Sequence, residues 1–98
     1  MIEYLLLMHG DEVREVRDDD WEPYLQKLKE GGHFRGGSAI GSGECARKSG
    51  ALPEISMHLS GFIRIEAEGI FQARSLLAGN PVFEAGGTVE IRELPRTD

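Results

Sequence analysis

The chain has a single cysteine, Cys45, so no intrachain disulfide can form and the crosslinked framework of small secreted domains is excluded. Long apolar runs are missing too. Tyr4 to Met8 is uninterrupted but falls far short of the ~20 residues a membrane-crossing helix needs. The opening Met1-Ile2-Glu3 carries an acid where a signal peptide carries cations. Clustered cations are equally scarce, since 11 Lys and Arg face 17 Asp and Glu, for a net charge of −6. Only Arg14 with Arg17, and Lys27 with Lys29, begin a basic patch, which argues against nucleic acid and anionic membranes as partners. A cytoplasmic location is the expectation that fits these absences.

Motifs for common cofactors and metals are absent as well. The glycines at 36, 37, 41 and 43 lack the following Lys-Ser/Thr and the helix start of a phosphate loop. The acids Asp18-Asp19-Asp20 lack the alternating spacing and closing glutamate of a calcium loop. His9 and Asp11, two apart on a turn, supply at most two of the ligands that zinc requires. We therefore expect no cofactor and no metal.

What is present is an ordinary globular composition, 40% hydrophobic and 29% charged. The 98 residues read as one domain over 1–98. A domain this small buries only about 60–70% of the surface its unfolded chain exposes, so a second copy would add core.

Tyr4 to Met8 is apolar at every position and reads as a central strand, ended by His9-Gly10-Asp11. Trp21, Tyr24, Leu25 and Leu28 recur at helical spacing. Asp20 as N-cap, Pro23 in the first turn and Gly31-Gly32 as terminator predict a three-turn helix. Phe34 to Ile40, rich in glycine, reads as a bent or bulged strand, followed by a hairpin-like stretch from Glu44 through Ser49-Gly50 to Ile55. From Met57 the pattern alternates. Leu59, Gly61, Ile63 and Ile65 belong under helices, and His58, Ser60, Phe62, Arg64 and Glu66 belong on the opposite face. Ile70, Ala73, Leu76 and Leu77 stripe a second helix, stopped by Gly79-Asn80-Pro81, and Thr88 to Leu94 forms the last strand.

This order is an α+β, ferredoxin-like βαββαβ arrangement with both helices on one face of an antiparallel sheet. The other face, carrying Phe62 and one side of the first strand, is too apolar to leave in water, which predicts a homodimer closed sheet to sheet.

Tyr4-Leu5-Leu6-Leu7-Met8-His9-Gly10-Asp11-Glu12, the Trp21 helix, Ser60-Gly61-Phe62, Gly79-Asn80-Pro81-Val82 and Gly87-Thr88-Val89-Glu90-Ile91-Arg92 follow one another as in the YCII-related family. In particular the chain resembles the branch named for an Asp-Gly-Pro-Phe motif. The resemblance implies a dimeric α/β barrel, a fold also used by small lyases, isomerases and monooxygenases. It further implies a histidine early in the first helix and an aspartate beyond the second strand as the family's suspected acid/base pair. Trp21 stands at the first position, and the motif loop is replaced by Ser49-Gly50-Ala51-Leu52-Pro53-Glu54, so that pair is absent. Relatives fused to sigma-factor-like domains imply a regulatory module acting around transcription through a protein partner as an alternative role.

The candidate site residues are His58, Ser60, Arg64 and Arg92 on the sheet face opposite the helices, with Trp21 as a stacking surface. Two arginines in an inter-sheet cleft could grip a carboxylate or phenolate, and a histidine could move a proton. The competing reading pairs Arg64 and Arg92 with Glu66 and Glu90 as structural salt bridges. His9 and His58 are the candidate catalytic groups. His33 and Cys45 read as a solvated histidine and a passive thiol. The expectation is a homodimer that binds a small, anionic organic molecule. Lyase or isomerase chemistry and a protein-binding module are the alternatives.

Overall fold

The structure is a computed structural model and describes residues 1–96. Four antiparallel strands, β1 (Ile2–Met8), β2 (Phe34–Ala39), β3 (Gly61–Ala67) and β4 (Val89–Leu94), form one sheet in the order β2-β3-β1-β4. The helices are α1 (Trp21–Glu30), α2 (Ile70–Ser75) and α3 (Pro81–Glu84). This α+β arrangement is compatible with a ferredoxin-like fold.

The two central strands alternate strictly. Tyr4, Leu6 and Met8 of β1 and Ile63, Ile65 and Ala67 of β3 are buried under the helices, and their neighbours face the other way. The register locks this division, pairing Leu6 with Ile63 and Tyr4 with Ile65, because a one-residue slip would turn either apolar set outward. Tyr24 and Leu28 of α1 complete the core from above, with Trp21 and Leu25 packed at its margin. Leu6 and Ile65 are wholly withdrawn from solvent, so truncating either to alanine costs about 2–5 kcal/mol.

Helix α1 begins at Trp21, but Asp20 does not cap it. The three aspartates form a single 3-10 turn, and the Asp20 carboxylate accepts from the Arg17 backbone N–H at 2.8 Å. Three acids at this N-terminus still favour the helix dipole. At the far end, Lys27 and Lys29 lie in the last turn, as the dipole favours.

Strand β2 is bulged between Phe34 and Gly36, and Gly36 has φ +127°, a conformation that excludes most other residues. The expected hairpin over residues 44–55 does not form. Residues 40–60 hold no strand or helix and are almost all exposed, because the run carries too few alternating apolar residues to give a strand a buried face. The radius of gyration, 14.9 Å, exceeds the about 13 Å of a compact chain this long, in keeping with that extended segment.

The second helix is shorter than its apolar stripe suggests. Helix α2 ends at Ser75, and Leu76 and Leu77 continue in a turn. Asn80-Pro81 then starts a third helix rather than merely ending the second. Asn80 sits fully buried as N-cap, its Oδ1 accepting from the Phe83 N–H at 3.0 Å, and Pro81 occupies the first turn. No helix among the described residues is long and apolar enough to cross a membrane.

Candidate functional site

A cavity of about 370 Å³ opens on the helix side of the sheet, between α1 and the β1–β3–β2 strands. Its walls come from Met8 of β1, Trp21 and Leu25 of α1, Phe34 of β2, Ile63 of β3 and Val82 of α3, with Glu12, Val16 and Asp18 from the segment before α1. Glycines let β2 and β3 approach closely at its floor. A Cβ on Gly37 would sit 2.6 Å from the Phe62 carbonyl oxygen, and one on Gly61 would come within 3.2 Å of the Ser38 carbonyl oxygen.

The chemistry of the lining is one-sided. Among the described residues, apart from Ser38, Ser60 and the Trp21 indole, its polar side chains are the carboxylates of Glu12 and Asp18, and no lysine, arginine or histidine takes part. Glu12 Oε2 is withdrawn from solvent and has no hydrogen-bond partner. Leaving such an acceptor unpaired costs about 1–3 kcal/mol. Among the described residues the helix-capping Asn80 leaves its Nδ2 in the same state, so it is the place of Glu12 in the cavity lining that makes it a candidate. Glu12 is positioned by its neighbour. Asp11 accepts from the Thr88 N–H and from Thr88 Oγ1, both at 2.7 Å, tying the turn after β1 to the start of β4. The Thr88 N–H, with the hydroxyl second, holds the Asp11 carboxyl below its ordinary value.

The opposite face of the sheet is uncovered. Leu7 pairs across to Phe62, and Leu5 is flanked by Arg64 and Arg92, so an apolar centre lies between charged side chains. Each arginine already has a partner. Arg64 binds Glu3, Nη2 lying 2.5 Å from Oε1 and 3.0 Å from Oε2, and Arg92 Nη1 donates to Glu90 Oε2 at 3.0 Å. The expected Arg64–Glu66 pair does not form, because Arg35 takes Glu66 instead.

No protein-family model matches this chain, and neither does any curated protein.

Strand β3 begins only at Gly61, so His58 and Ser60 lie before it, not on its open face. Ser60 lines the helix-side cavity together with Trp21. His58 instead stacks edge-on against His9, with ring centroids 5.0 Å apart. His9 Nε2 donates to Glu90 Oε1 at 2.8 Å, and this bond, ahead of the one from Arg92, lowers the Glu90 pKa. His9, His58, Glu90 and Arg92 thus form one cluster, while Arg64, across Leu5 from Arg92, is held by Glu3. His33 Nδ1 donates to the Glu66 carbonyl at 2.8 Å, a structural tie between the end of α1 and β3. Cys45 lies in the irregular segment, half-buried. Among the described residues, no group of three His, Cys, Asp or Glu is arranged to hold a metal.

Glu12 is the residue that sequence reasoning passes over. Gly10-Asp11-Glu12 reads as a polar turn, and nothing in the run distinguishes the acid that binds Thr88 from the acid that lines the cavity. The nearby Val16, which lines the cavity, is the one hint that the segment returns toward apolar surroundings.

Proposed function

We propose that this chain is a cytoplasmic homodimer of the YCII-related type that binds a small organic molecule in the helix-side cavity. The single observation that carries this reading is the cavity's build: about 370 Å³, with largely apolar walls and the carboxylate residue Glu12 among them. A space of that size with a few polar groups is the usual form of a small-molecule site. The arginine face is the weaker candidate for an anion, because both guanidinium groups are paired within the chain.

The open face is better suited to a second copy, closing the molecule as a dimeric α/β barrel. Leu5, Leu7 and Phe62 are each half-buried there, amid Glu3, Glu66 and Glu90 and Arg35, Arg64 and Arg92. Equal numbers of both signs around an apolar centre suit a surface that meets itself across a two-fold axis.

Trp21, the only tryptophan, lines the cavity and reports its occupancy. Titrating small aromatic compounds should change Trp21 emission saturably, and Val16→Phe, which fills the cavity, should abolish the change. Emission that stays flat across aromatic acids, alcohols and amines would count against the reading. Sedimentation should give a dimer that Leu7→Glu converts to a folded monomer, whereas a monomeric wild type would remove the sheet-to-sheet arrangement.

A second reading, lyase or isomerase chemistry, draws on the His9–Glu90 hydrogen bond, in which a carboxylate orients an imidazole as in many general bases. Turnover whose pH profile disappeared in His9→Ala or His58→Ala would favour it. Turnover indifferent to both substitutions would end it.

A further inference from the structure

We propose that the helix-side cavity selects an organic cation, an aromatic or aliphatic amine, with Glu12 as its counter-ion. This inference rests on the small-molecule reading above and names the ligand class. Three observations converge on it. The only ionisable side chains in the lining are acids, Glu12 and Asp18, so a carboxylate or phosphate ligand would enter a largely apolar space against like charge with no cation to meet it. Glu12 lines the cavity and its Oε2 has no hydrogen-bond donor among the described residues, so a turn of the carboxylate toward the space would let an ammonium supply that donor together with a charge. Trp21 adds an aromatic surface to the same space, which favours a cation or a second ring over an anion.

The formal charge of the chain, −6, acts in the same direction by drawing cations to the surface. The arginines of the other sheet face lead to the opposite expectation from sequence, an anionic ligand. They take no part in lining this cavity.

Matched probes separate the inference from the reading beneath it. 2-Phenylethylamine, 2-phenylethanol and phenylacetate share a skeleton and differ in the charge at one end. Calorimetric titration of the full chain should give an amine dissociation constant at least about tenfold below that of the alcohol, as expected of one charge-assisted hydrogen bond, and no detectable phenylacetate binding. In Glu12→Gln the amine's advantage should collapse to about twofold or less, the alcohol's affinity staying within about twofold of wild type. Glu12→Asp, which keeps the charge, should retain part of the preference. If the Gln variant fails to fold, Glu12→Met carries the same test. Wild type that binds alcohol and amine equally, or prefers phenylacetate, would overturn the inference and leave the small-molecule reading standing. An amine preference that survives in Glu12→Gln would remove Glu12 from the role. Failure of all three probes to bind would overturn the small-molecule reading for this class, and the inference with it.

Discussion

Arg64 and Glu3 are locked together across β3 and β1, Arg64 Nη2 lying 2.5 Å from one carboxylate oxygen of Glu3 and 3.0 Å from the other, with Nε 3.2 Å from the first. This two-pronged pair makes Arg64 a poor hand for a free anion. The pair is substantially exposed, so it contributes only about 0.2–1 kcal/mol. Arg64→Ala should therefore lower Tm by a few degrees at most and leave the affinity of any cavity ligand within about twofold of wild type. Loss of small-molecule binding in that variant, measured by titration, would return the site to the open face.

The unpaired oxygen of Glu12 sets a cost on stability. Glu12→Met keeps the side chain's length and removes the unsatisfied acceptor, so the ligand-free protein should gain about 1 kcal/mol, read as a higher midpoint in urea at unchanged slope. A gain in stability joined to a loss of amine binding is the pattern expected of a functional group. A loss of stability would mean that Glu12 supports the fold.

Tyr24 ties α1 to the turn after α2. Its hydroxyl donates to the Leu76 carbonyl at 2.8 Å, from a ring that is almost completely buried. Tyr24→Phe should cost about 0.5–1.5 kcal/mol. Burial raises the Tyr24 pKa above 10.0, against a smaller opposing effect of the Asn80 amide. Because the folded state holds this proton more tightly than the unfolded chain, the stabilisation is complete below pH 10 and falls as pH rises through the folded value. Denaturant midpoints measured from pH 8 to 11 should drop more steeply in wild type than in Tyr24→Phe, and parallel curves would contradict the assignment.

Acid should act at the other end of the scale through Asp11. The Thr88 N–H and hydroxyl depress its pKa below 3.8, so its contribution is present above that value and is lost as pH falls through the folded pKa. Glu90, depressed below 4.5 by His9, adds to the same trend. Asp11→Asn should lower stability at pH 7 and flatten the acid limb below pH 4. An unchanged acid limb would show that the Asp11–Thr88 tie contributes nothing.

The sheet was legible because its chemistry is local. An uninterrupted Tyr4-to-Met8 run and strict alternation from Gly61 to Ala67 allow only strands with defined faces, and the helical spacing from Trp21 to Leu28 allows only one buried stripe. The reading failed where tertiary contacts decide. Asp20 could cap by its type, but the 3-10 turn before it rotates its carboxylate back to Arg17. Asn80-Pro81 ends one helix and begins another with the same two residues, a double role that spacing cannot reveal. The candidate site was legible only in part. Trp21 and Ser60 do reach the cavity, but Glu12 joins them through a turn whose inward and outward acids are adjacent and chemically alike. Arg64 and Arg92 attract notice in the sequence because their partners, Glu3 and Glu90, come together with them only in the folded sheet.

The most direct test of the account is where a ligand lands. In methyl-resolved NMR spectra titrated with 2-phenylethylamine, the account predicts saturable shifts at Met8, Leu25, Ile63 and Val82, with Leu5 and Leu7 unmoved. Shifts confined to Leu5 and Leu7 would contradict it, placing the ligand on the opposite face of the sheet.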